Sequence, residues 1–390
     1  MVKRVGIEVS LALSEAVKMA NTDVIAAYPI TPQTHIVEHL SELVADGELD
    51  AEFVPVESEH SAMSTCIGSS ATGARTFTAT SAQGLALMHE LLYMSPVLRL
   101  PIILAVVNRA MSQPISIWSD HSDIMAERDT GWIQLFAENG QEVYDLILQA
   151  FRIAEDPEVM LPVAVNLDGF TLSHVVEPVI FTEPEEMSRF LPPYKPAIRL
   201  DPDNPVSMGV FGIPEIYTET RKVTDVVLLE SKKTILKVWQ EFAEIFGRKY
   251  APLEAYHTED ADTILVVMGS IAETAMTAVD EMRADGKKVG LLKIRLWRPF
   301  PDEEFRAAVA SARKIGVIDR CMTLGSHGGP VLMEIRSLLY PMANRPHIFG
   351  FTLGLGGRDA PRDDFKYIYE QCQVLPEKGQ DRYEMVGVME

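Results

Sequence analysis

The sequence predicts an α/β protein with two successive units, each a parallel sheet covered by helices. Short apolar runs alternate with amphipathic segments from about residue 5 to residue 180, and the alternation resumes after about residue 256. Such alternation is typical of parallel sheets whose strands are connected through helices. A proline-rich stretch separates the two units. We therefore expect domains at residues 1–180 and 256–390, joined by a connection and a helix at 181–255.

The first unit begins with a helical pattern that contains Glu8 and Glu15, directly after the first five residues. Its strands are predicted where short apolar runs are bounded by polar or small residues. These runs lie at residues 24–27, 76–80, 102–107 and 163–166.

The connection at residues 183–217 carries seven prolines, which are too closely spaced for a helix or a central strand. We read it as an extended surface segment able to wrap a neighbour. A helix is predicted at 223–246, with Gly247 as its C-cap. The second unit then follows with predicted strands at 263–268, 288–294 and 315–319, helices at 273–283 and 331–340, and glycine-rich loops at 325–330 and 350–358.

Composition excludes several classes of function. The net charge of −21 over 390 residues argues against nucleic acid or an anionic membrane as the main partner. The three cysteines, Cys66, Cys321 and Cys372, are too few and too scattered to hold an iron–sulfur cluster, so any cluster must lie on another chain. No metal site is expected on this chain. There is no apolar leader or membrane-spanning run, and we expect a cytoplasmic protein with reduced thiols.

Two segments point to a ligand site at a sheet edge. The loop at residues 28–32 follows a predicted strand and is stiffened by Pro29 and Pro32 on either side of Thr31. Glu59 opens the helix that follows the next strand, where its carboxylate would be partly desolvated. Carboxyl ends of parallel strands are where open α/β sheets bind ligands. The alternative for Glu59 is a favourable interaction with the helix dipole alone, and for Thr31 a simple turn role.

The flanking residues resemble the pyrimidine-binding domain of thiamine diphosphate enzymes. The resemblance rests on Glu59-His60-Ser61-Ala62, Ala71-Thr72-Gly73-Ala74-Arg75, the strand at 76–80 and Ser81-Ala82-Gln83-Gly84. It implies a parallel sheet with helices on both faces. It also implies that Glu59 hydrogen-bonds the pyrimidine N1′ and activates thiamine diphosphate, with Pro29 and Gln83 in the cofactor site. The region 263–319 looks like the transketolase C-terminal domain, which in this family is mainly structural.

Over essentially the whole chain, the sequence is similar to the alpha subunit of pyruvate:ferredoxin and related 2-oxoacid:ferredoxin oxidoreductases. The family's motifs occur in order as Tyr28-Pro29-Ile30-Thr31-Pro32, Glu57-Ser58-Glu59, Thr80-Ser81-Ala82-Gln83-Gly84-Leu85, Asn108-Arg109-Ala110 and Ser119-Asp120-His121-Ser122-Asp123. This resemblance implies that Thr31 and Arg109 hold the substrate carboxylate, for which an arginine fork is well suited. The alternative for Arg109 is a surface salt bridge.

Two further side chains, Asp120 and His121, lie in the loop after Arg109. They could form a proton relay, but Asp and His also cap and bridge loops. The loop at 325–329 is not a dinucleotide fingerprint, so no dinucleotide is expected.

Charge favours a monocarboxylate substrate, with pyruvate the simplest. Residues 110–113 add no cation beyond Arg109, and relatives acting on oxalate carry arginine where this chain has Thr31. The apolar side chains of Met111, Ile115, Ile117 and Trp118 could instead shape a pocket for branched 2-oxoacids, or serve as core or partner contacts.

The resemblance implies a shared active site, because no convincing Gly-Asp-Gly segment for Mg²⁺ and diphosphate is present. A beta-type subunit would supply the Mg²⁺, the diphosphate site and the nearest iron–sulfur cluster, with further gamma- and delta-type subunits in the complex. The implied reaction converts pyruvate and coenzyme A to acetyl coenzyme A and CO₂, reversibly, with ferredoxin as electron acceptor. Two rivals are a subunit of another thiamine diphosphate enzyme and a non-catalytic assembly subunit.

Overall fold

The computed structural model describes residues 4–209, 211–374 and 383–389. Within these residues the chain forms a seven-stranded sheet, a six-stranded sheet and a two-stranded ribbon. The N-terminal part contains β1 (Arg4–Glu8), α1 (Val9–Met19), β2 (Val24–Ala27), α2 (Thr34–Ala45), β3 (Glu52–Pro55), α3 (Glu59–Ala71), β4 (Thr76–Thr80), α4 (Ala82–Leu87), α5 (His89–Val97), β5 (Ile102–Asn108), α6 (Ser122–Ala126), β6 (Ile133–Phe136), α7 (Gly140–Ala154), β7 (Val163–Asp168) and β8 (Val176–Ile180).

The remaining elements follow in chain order. They are α8 (Pro184–Phe190), α9 (Pro214–Phe246), β9 (Leu253–Tyr256), β10 (Thr263–Met268), α10 (Ile271–Ala284), β11 (Val289–Ile294), β12 (Leu296–Arg298), α11 (Asp302–Ala308), β13 (Lys314–Asp319), α12 (Pro330–Leu339), β14 (His347–Thr352), a 3₁₀ turn (Leu355–Gly357), α13 (Arg362–Gln373) and β15 (Tyr383–Met385).

The first sheet has the order β12-β6-β7-β5-β4-β2-β3, and all of its strands are parallel except the edge strand β12. From β2 the chain moves outward to β3 and then returns to β4 on the other side. The order therefore reverses between β2 and β4. In open α/β sheets, ligands bind in the crevice at the carboxyl ends of the strands where the order reverses.

The second sheet has the order β15-β14-β13-β10-β11-β9, with β9 antiparallel at one edge. Its own reversal lies between β10 and β13. One hydrophobic core fills the space between the two sheets and includes Trp132, Trp297 and Phe305. Separate cores cover the outer faces, one under α1, α2, α7 and α9 and the other under α10 and α13. The α/β class predicted from the alternation is confirmed.

Several local predictions were wrong. Residues 4–8 form a strand instead of the start of a helix, because they pair with β8, about 170 residues away. The proline-rich segment contains α8, which begins at Pro184, and α9 begins at Pro214 instead of residue 223. Proline is tolerated in the first turn of a helix, where its missing N–H would have no partner anyway.

The glycine-rich loop predicted at 350–358 begins later, because Gly350 lies inside β14. A Cβ at this position would overlap Leu332 of α12. Here glycine permits close packing of a helix on a strand and does not mark a loop. The predicted C-cap at Gly247 is confirmed, with a φ of 73°. The domain boundaries stay a prediction.

A buried ion-pair network joins the two sheets around Asp168, the last residue of β7. Its Oδ1 lies 2.9 Å from His121 Nε2 and 2.7 Å from Arg320 Nη1, and its Oδ2 accepts the Ser270 N–H at 2.7 Å. Burial alone would raise the pKa of Asp168, but Arg320 and His121 outweigh it and hold the pKa well below its usual range. Because Ser270 and Arg320 follow β10 and β13, this network fills the reversal point of the second sheet.

We expect the Asp168→Asn substitution to lower the free energy of unfolding of the full chain by about 3–5 kcal/mol, because it leaves Arg320 buried without its counter-ion. Urea unfolding followed by circular dichroism measures this loss. The matched control is Asp225→Asn, which removes an exposed pairing with Lys222 at 3.3 Å and should change stability by less than about 0.5 kcal/mol. Equal midpoints for the two variants would contradict the structural role of the network.

Candidate functional site

The candidate site lies at the carboxyl ends of β2, β3, β4 and β5, at the reversal point of the first sheet. Four predicted site segments follow these ends: residues 28–32 after β2, Glu59 after β3, Gln83 after β4 and Arg109 after β5. The parallel arrangement brings to one edge residues that are as many as 81 positions apart in the sequence, from Tyr28 to Arg109.

Glu59 is the first residue of α3 and is only 6% exposed. The N-cap is Ser58, whose hydroxyl accepts the N–H of Ser61 at 3.2 Å, so capping does not depend on the Glu59 carboxylate. Within the described part of the chain, that carboxylate makes no hydrogen bond or ion pair. A buried carboxylate without a partner is costly, which is typical of a group kept for a ligand.

Gly84 allows α4 to approach this carboxylate. A Cβ at position 84 would lie 2.5 Å from Glu59 Oε1 and closer still to Thr80 Oγ1. Any side chain here would therefore displace Glu59 or move α4 away from α3.

Several buried polar atoms in the segment that leads to Gly84 also lack a hydrogen-bond partner among the described residues. They are Thr80 Oγ1, Ser81 Oγ and Gln83 Oε1. The Nε2 of Gln83 donates a hydrogen bond to the hydroxyl of Ser112. A carboxylate, hydroxyls and an amide oxygen together offer hydrogen-bond donors and acceptors to a planar nitrogen heterocycle. The residues present therefore fit the pyrimidine of thiamine diphosphate.

Gln33, which the sequence did not single out, fixes the loop after β2. Its Nε2 donates to the carbonyl of Tyr28 at 2.8 Å and to that of Ala79 at 3.3 Å, and the residue is fully buried. The loop is thereby attached to β4. Pro29 is exposed in the same loop.

Asp123 is a second residue that sequence reasoning missed, although it closes the Ser119–Asp123 motif. Its Oδ2 accepts the N–H groups of Ala82 at 3.1 Å and Arg109 at 2.9 Å, and its Oδ1 accepts Asn108 Nδ2 at 3.0 Å. Burial raises the pKa of Asp123 to about 6 despite these hydrogen bonds. Ala82 has a φ of 41°, an unfavourable conformation for a residue with a side chain. Asp123 therefore fixes the ends of β4 and β5 relative to each other.

Arg109 and the Thr31 loop are in contact. Arg109 Nη1 donates to the carbonyl of Thr31 at 3.0 Å, and Nε donates to the carbonyl of Ser116 at 2.7 Å. The side chain of Arg109 is buried, and Thr31 is exposed. Burial lowers the pKa of Arg109, while Asp123 opposes this shift. Among the described residues, Arg109 forms no salt bridge and its Nη2 makes no hydrogen bond, which disfavours the surface salt-bridge alternative.

Asp120 and His121 contact other parts of the protein instead of the site. Asp120 Oδ1 accepts the N–H of Ser122 at 2.9 Å, and its Oδ2 accepts the N–H of Gly356 at 3.2 Å. His121 hydrogen-bonds Asp168 in the network described above. These contacts favour the bridging interpretation of both residues over the proton relay.

The glycine-rich loop at 325–329 leads into α12, whose N-terminus is already capped. Asp319 accepts the N–H groups of Val331 at 2.8 Å and Leu332 at 3.1 Å, and Gly329 packs so closely on Asp319 that a Cβ would overlap it. The N–H groups that a phosphate would need at this helix are therefore occupied.

No helix among the described residues is long and apolar enough to cross a membrane.

Two known protein families match parts of this chain. Residues 15–238 match the family described as pyruvate flavodoxin/ferredoxin oxidoreductase, thiamine diphosphate-binding. Residues 261–365 match the pyruvate:ferredoxin oxidoreductase core domain II. The chain is 51% identical over 365 residues to pyruvate synthase subunit PorA of Methanocaldococcus jannaschii, covering 93% of each chain. It is 46% identical over 370 residues to ketoisovalerate oxidoreductase subunit VorA of Pyrococcus horikoshii, covering 94% of this chain and 93% of that one.

Solved structures share the fold. A 2-oxoglutarate:ferredoxin oxidoreductase from Magnetococcus marinus superposes with a TM-score of 0.72 at 20% identity, covering 95% of this chain. The present chain spans 65% of that enzyme's chain. A split-gene transketolase superposes with a TM-score of 0.54 at 10% identity, covering 94% of each chain. Together with the family match over residues 15–238, these similarities confirm the predicted α/β fold of a thiamine diphosphate-binding protein.

We expect Gly84→Ala to destabilise the chain by about 1–3 kcal/mol, because the new methyl group must displace Glu59 or Thr80. The matched control is Gly68→Ala in α3, where a Cβ meets nothing within 4 Å. That change should be neutral or stabilise the helix by up to about 1 kcal/mol. Thermal unfolding of both variants measures the difference. An unfolding midpoint equal to that of wild type for Gly84→Ala would contradict the close contact of Gly84 with Glu59 and Thr80.

Proposed function

The chain belongs to the pyruvate flavodoxin/ferredoxin oxidoreductase family, and from this premise we propose that it is the alpha subunit of a heteromeric pyruvate:ferredoxin oxidoreductase. Pyruvate and coenzyme A would be converted to acetyl coenzyme A and CO₂, with two electrons passed singly to ferredoxin, and the reaction would be reversible. The single observation that carries the proposal is the buried, unpartnered carboxylate of Glu59 at the reversal point of a parallel sheet.

Glu59 would hold a proton in a hydrogen bond with a pyrimidine ring nitrogen. Its position at the N-terminus of α3, in a residue that is only 6% exposed, suits a proton shared between a carboxylate and a ring nitrogen. Thr80, Ser81 and Gln83 would supply the remaining polar contacts, and Pro29 would border the site. When bound, thiamine diphosphate supplies the nucleophilic carbon and the electron sink for cleavage next to the 2-oxo group.

Arg109 and Thr31 would bind the substrate carboxylate. The Thr31 carbonyl and the Ser116 carbonyl hold the guanidinium from two sides, so its orientation is fixed before substrate arrives. The unengaged Nη2 would donate to a carboxylate oxygen, and the Thr31 hydroxyl would add a second donor. Such preorganisation favours binding because little side-chain freedom remains to be lost.

A second candidate substrate is a branched 2-oxoacid. The loop that holds Arg109 through Ser116 also exposes Ile115, Ile117 and Trp118, with 71%, 40% and 51% of their surface accessible. Together with the similarity to a ketoisovalerate oxidoreductase subunit, these apolar side chains favour a pocket that could accept a larger tail.

We further propose that partner subunits complete the site. A beta-type subunit would bring Mg²⁺, the diphosphate-binding groups and the nearest iron–sulfur cluster, and gamma- and delta-type subunits would carry further clusters towards ferredoxin. All three cysteines of this chain are buried, and burial raises the pKa of Cys66 to about 12, so its thiol is a poor cluster ligand. We place the complex in the cytoplasm, where these thiols would stay reduced.

We expect Glu59→Gln to reduce pyruvate-dependent dye reduction by the purified complex at least about 100-fold, because glutamine cannot exchange the proton. Gel filtration should show that the complex still assembles. The matched control, Glu57→Gln, changes an exposed carboxylate two residues away and should retain wild-type turnover. Full activity of Glu59→Gln would refute the proposed role.

Arg109→Ala should raise KM for pyruvate about tenfold to a hundredfold with a smaller effect on kcat, because it removes a charge-assisted contact. Arg199→Ala, at an exposed arginine, is the control and should leave KM unchanged. The same assay with 2-oxoisovalerate and 2-oxoglutarate distinguishes the substrates. A preference for pyruvate supports the first candidate, one for 2-oxoisovalerate the second, and one for 2-oxoglutarate contradicts both.

A further inference from the structure

A cluster of metal-ligating side chains lies outside the site described above. Glu8 at the end of β1, His35 in the first turn of α2 and His174 in the loop between β7 and β8 converge on one point. One potential ligand atom from each lies within 4.8 Å of the others. All three residues are partly buried, and each comes from a different element, so the cluster depends on the tertiary fold.

The side chains are held in defined orientations. His35 Nδ1 lies 2.7 Å from the Glu8 carboxylate. The Nδ1 of His174 hydrogen-bonds the Ser173 hydroxyl at 2.7 Å, which leaves Nε2 for a ligand. The ring of His174 is also held between Phe170 and His35, at centroid distances of 4.6 and 4.5 Å. Hydrogen bonding to the second ring nitrogen is how proteins orient a metal-binding histidine.

We propose that Glu8, His35 and His174 form a site for a divalent transition metal ion of the zinc class. Two imidazoles and one carboxylate are a ligand set that Zn²⁺ takes in proteins, with water in the fourth position. The two histidines disfavour Mg²⁺ and Ca²⁺, which prefer oxygen ligands.

A second group of potential metal ligands lies among the described residues. The other carboxylate-rich group, Glu138, Glu142 and Glu254, differs because Lys293 and Arg295 already pair with it.

A bound ion would connect two segments that flank the substrate loop. His35 follows Thr31 by four residues, and Gly169, in the loop that carries His174, packs against Pro32, where a Cβ would lie 2.6 Å from Pro32 Cγ. The ion would thus link the first turn of α2 to the loop after β7.

The test is equilibrium dialysis of the purified complex against low micromolar ZnCl₂, with bound zinc counted by elemental mass spectrometry. Wild type should bind one more zinc ion per copy of this chain than His174→Ala. The matched control is His39→Ala, one turn further along α2, where His39 faces Glu15 at 3.3 Å and Glu42 at 3.5 Å. This variant should bind as much zinc as wild type.

Equal zinc counts in wild type and His174→Ala would overturn the proposal, as would loss of zinc in His39→Ala alone. Crystals of the wild-type complex soaked in ZnCl₂ provide a check that needs no variant. Anomalous difference density between Glu8, His35 and His174, with nitrogen ligands at about 2.0–2.1 Å, supports the site. The absence of that density in zinc-soaked crystals contradicts it.

Discussion

The geometry of the candidate site depends on one buried carboxylate, that of Asp123. It accepts backbone N–H groups from Ala82 and Arg109, which follow two neighbouring strands. Without it, two buried N–H groups would lose their partner, at a cost of about 1–3 kcal/mol each. The left-handed backbone of Ala82, itself strained by about 1–3 kcal/mol, would also lose its support. Asp123 Oδ2 therefore fixes both the turn before Gln83 and the backbone of Arg109.

Two buried carboxylates differ in whether the protein supplies their partners, and this difference distinguishes a structural role from a binding role. Asp168 is surrounded by Arg320, His121 and Ser270, and every one of these contacts lowers the free energy of its ionised form. Glu59 is similarly buried but has no protein partner among the described residues. Folding stability alone would not retain such a group, because an apolar side chain in its place would be less costly. The unpartnered carboxylate is therefore best explained by a ligand that completes its hydrogen bonds.

Sequence reasoning succeeded where local patterns decide the structure. Short apolar runs located β2, β4 and β10, and Gly247 ended α9 where a left-handed residue was needed. It failed where distant partners decide. Residues 4–8 form the strand β1 because they pair with β8. Although β12 lies in the sequence among strands of the second sheet, it pairs with β6 of the first sheet. Asp123 and Gln33 could not be found locally, because each also holds a group about 40 residues or more away, the N–H of Ala82 and the carbonyl of Ala79.

Each sheet has a reversal point, and in the described part of the chain an ion-pair network fills the one in the second sheet. In the second sheet, Asp168 and His121 from the first part of the chain fill the crevice and pair with Ser270 and Arg320. The helix that could have bound a phosphate is capped by Asp319. The second unit thus serves as a surface against which the first is held. The first reversal point presents polar groups suited to a heterocycle and a carboxylate, and under the proposed function a partner subunit would supply the groups for a diphosphate and its metal.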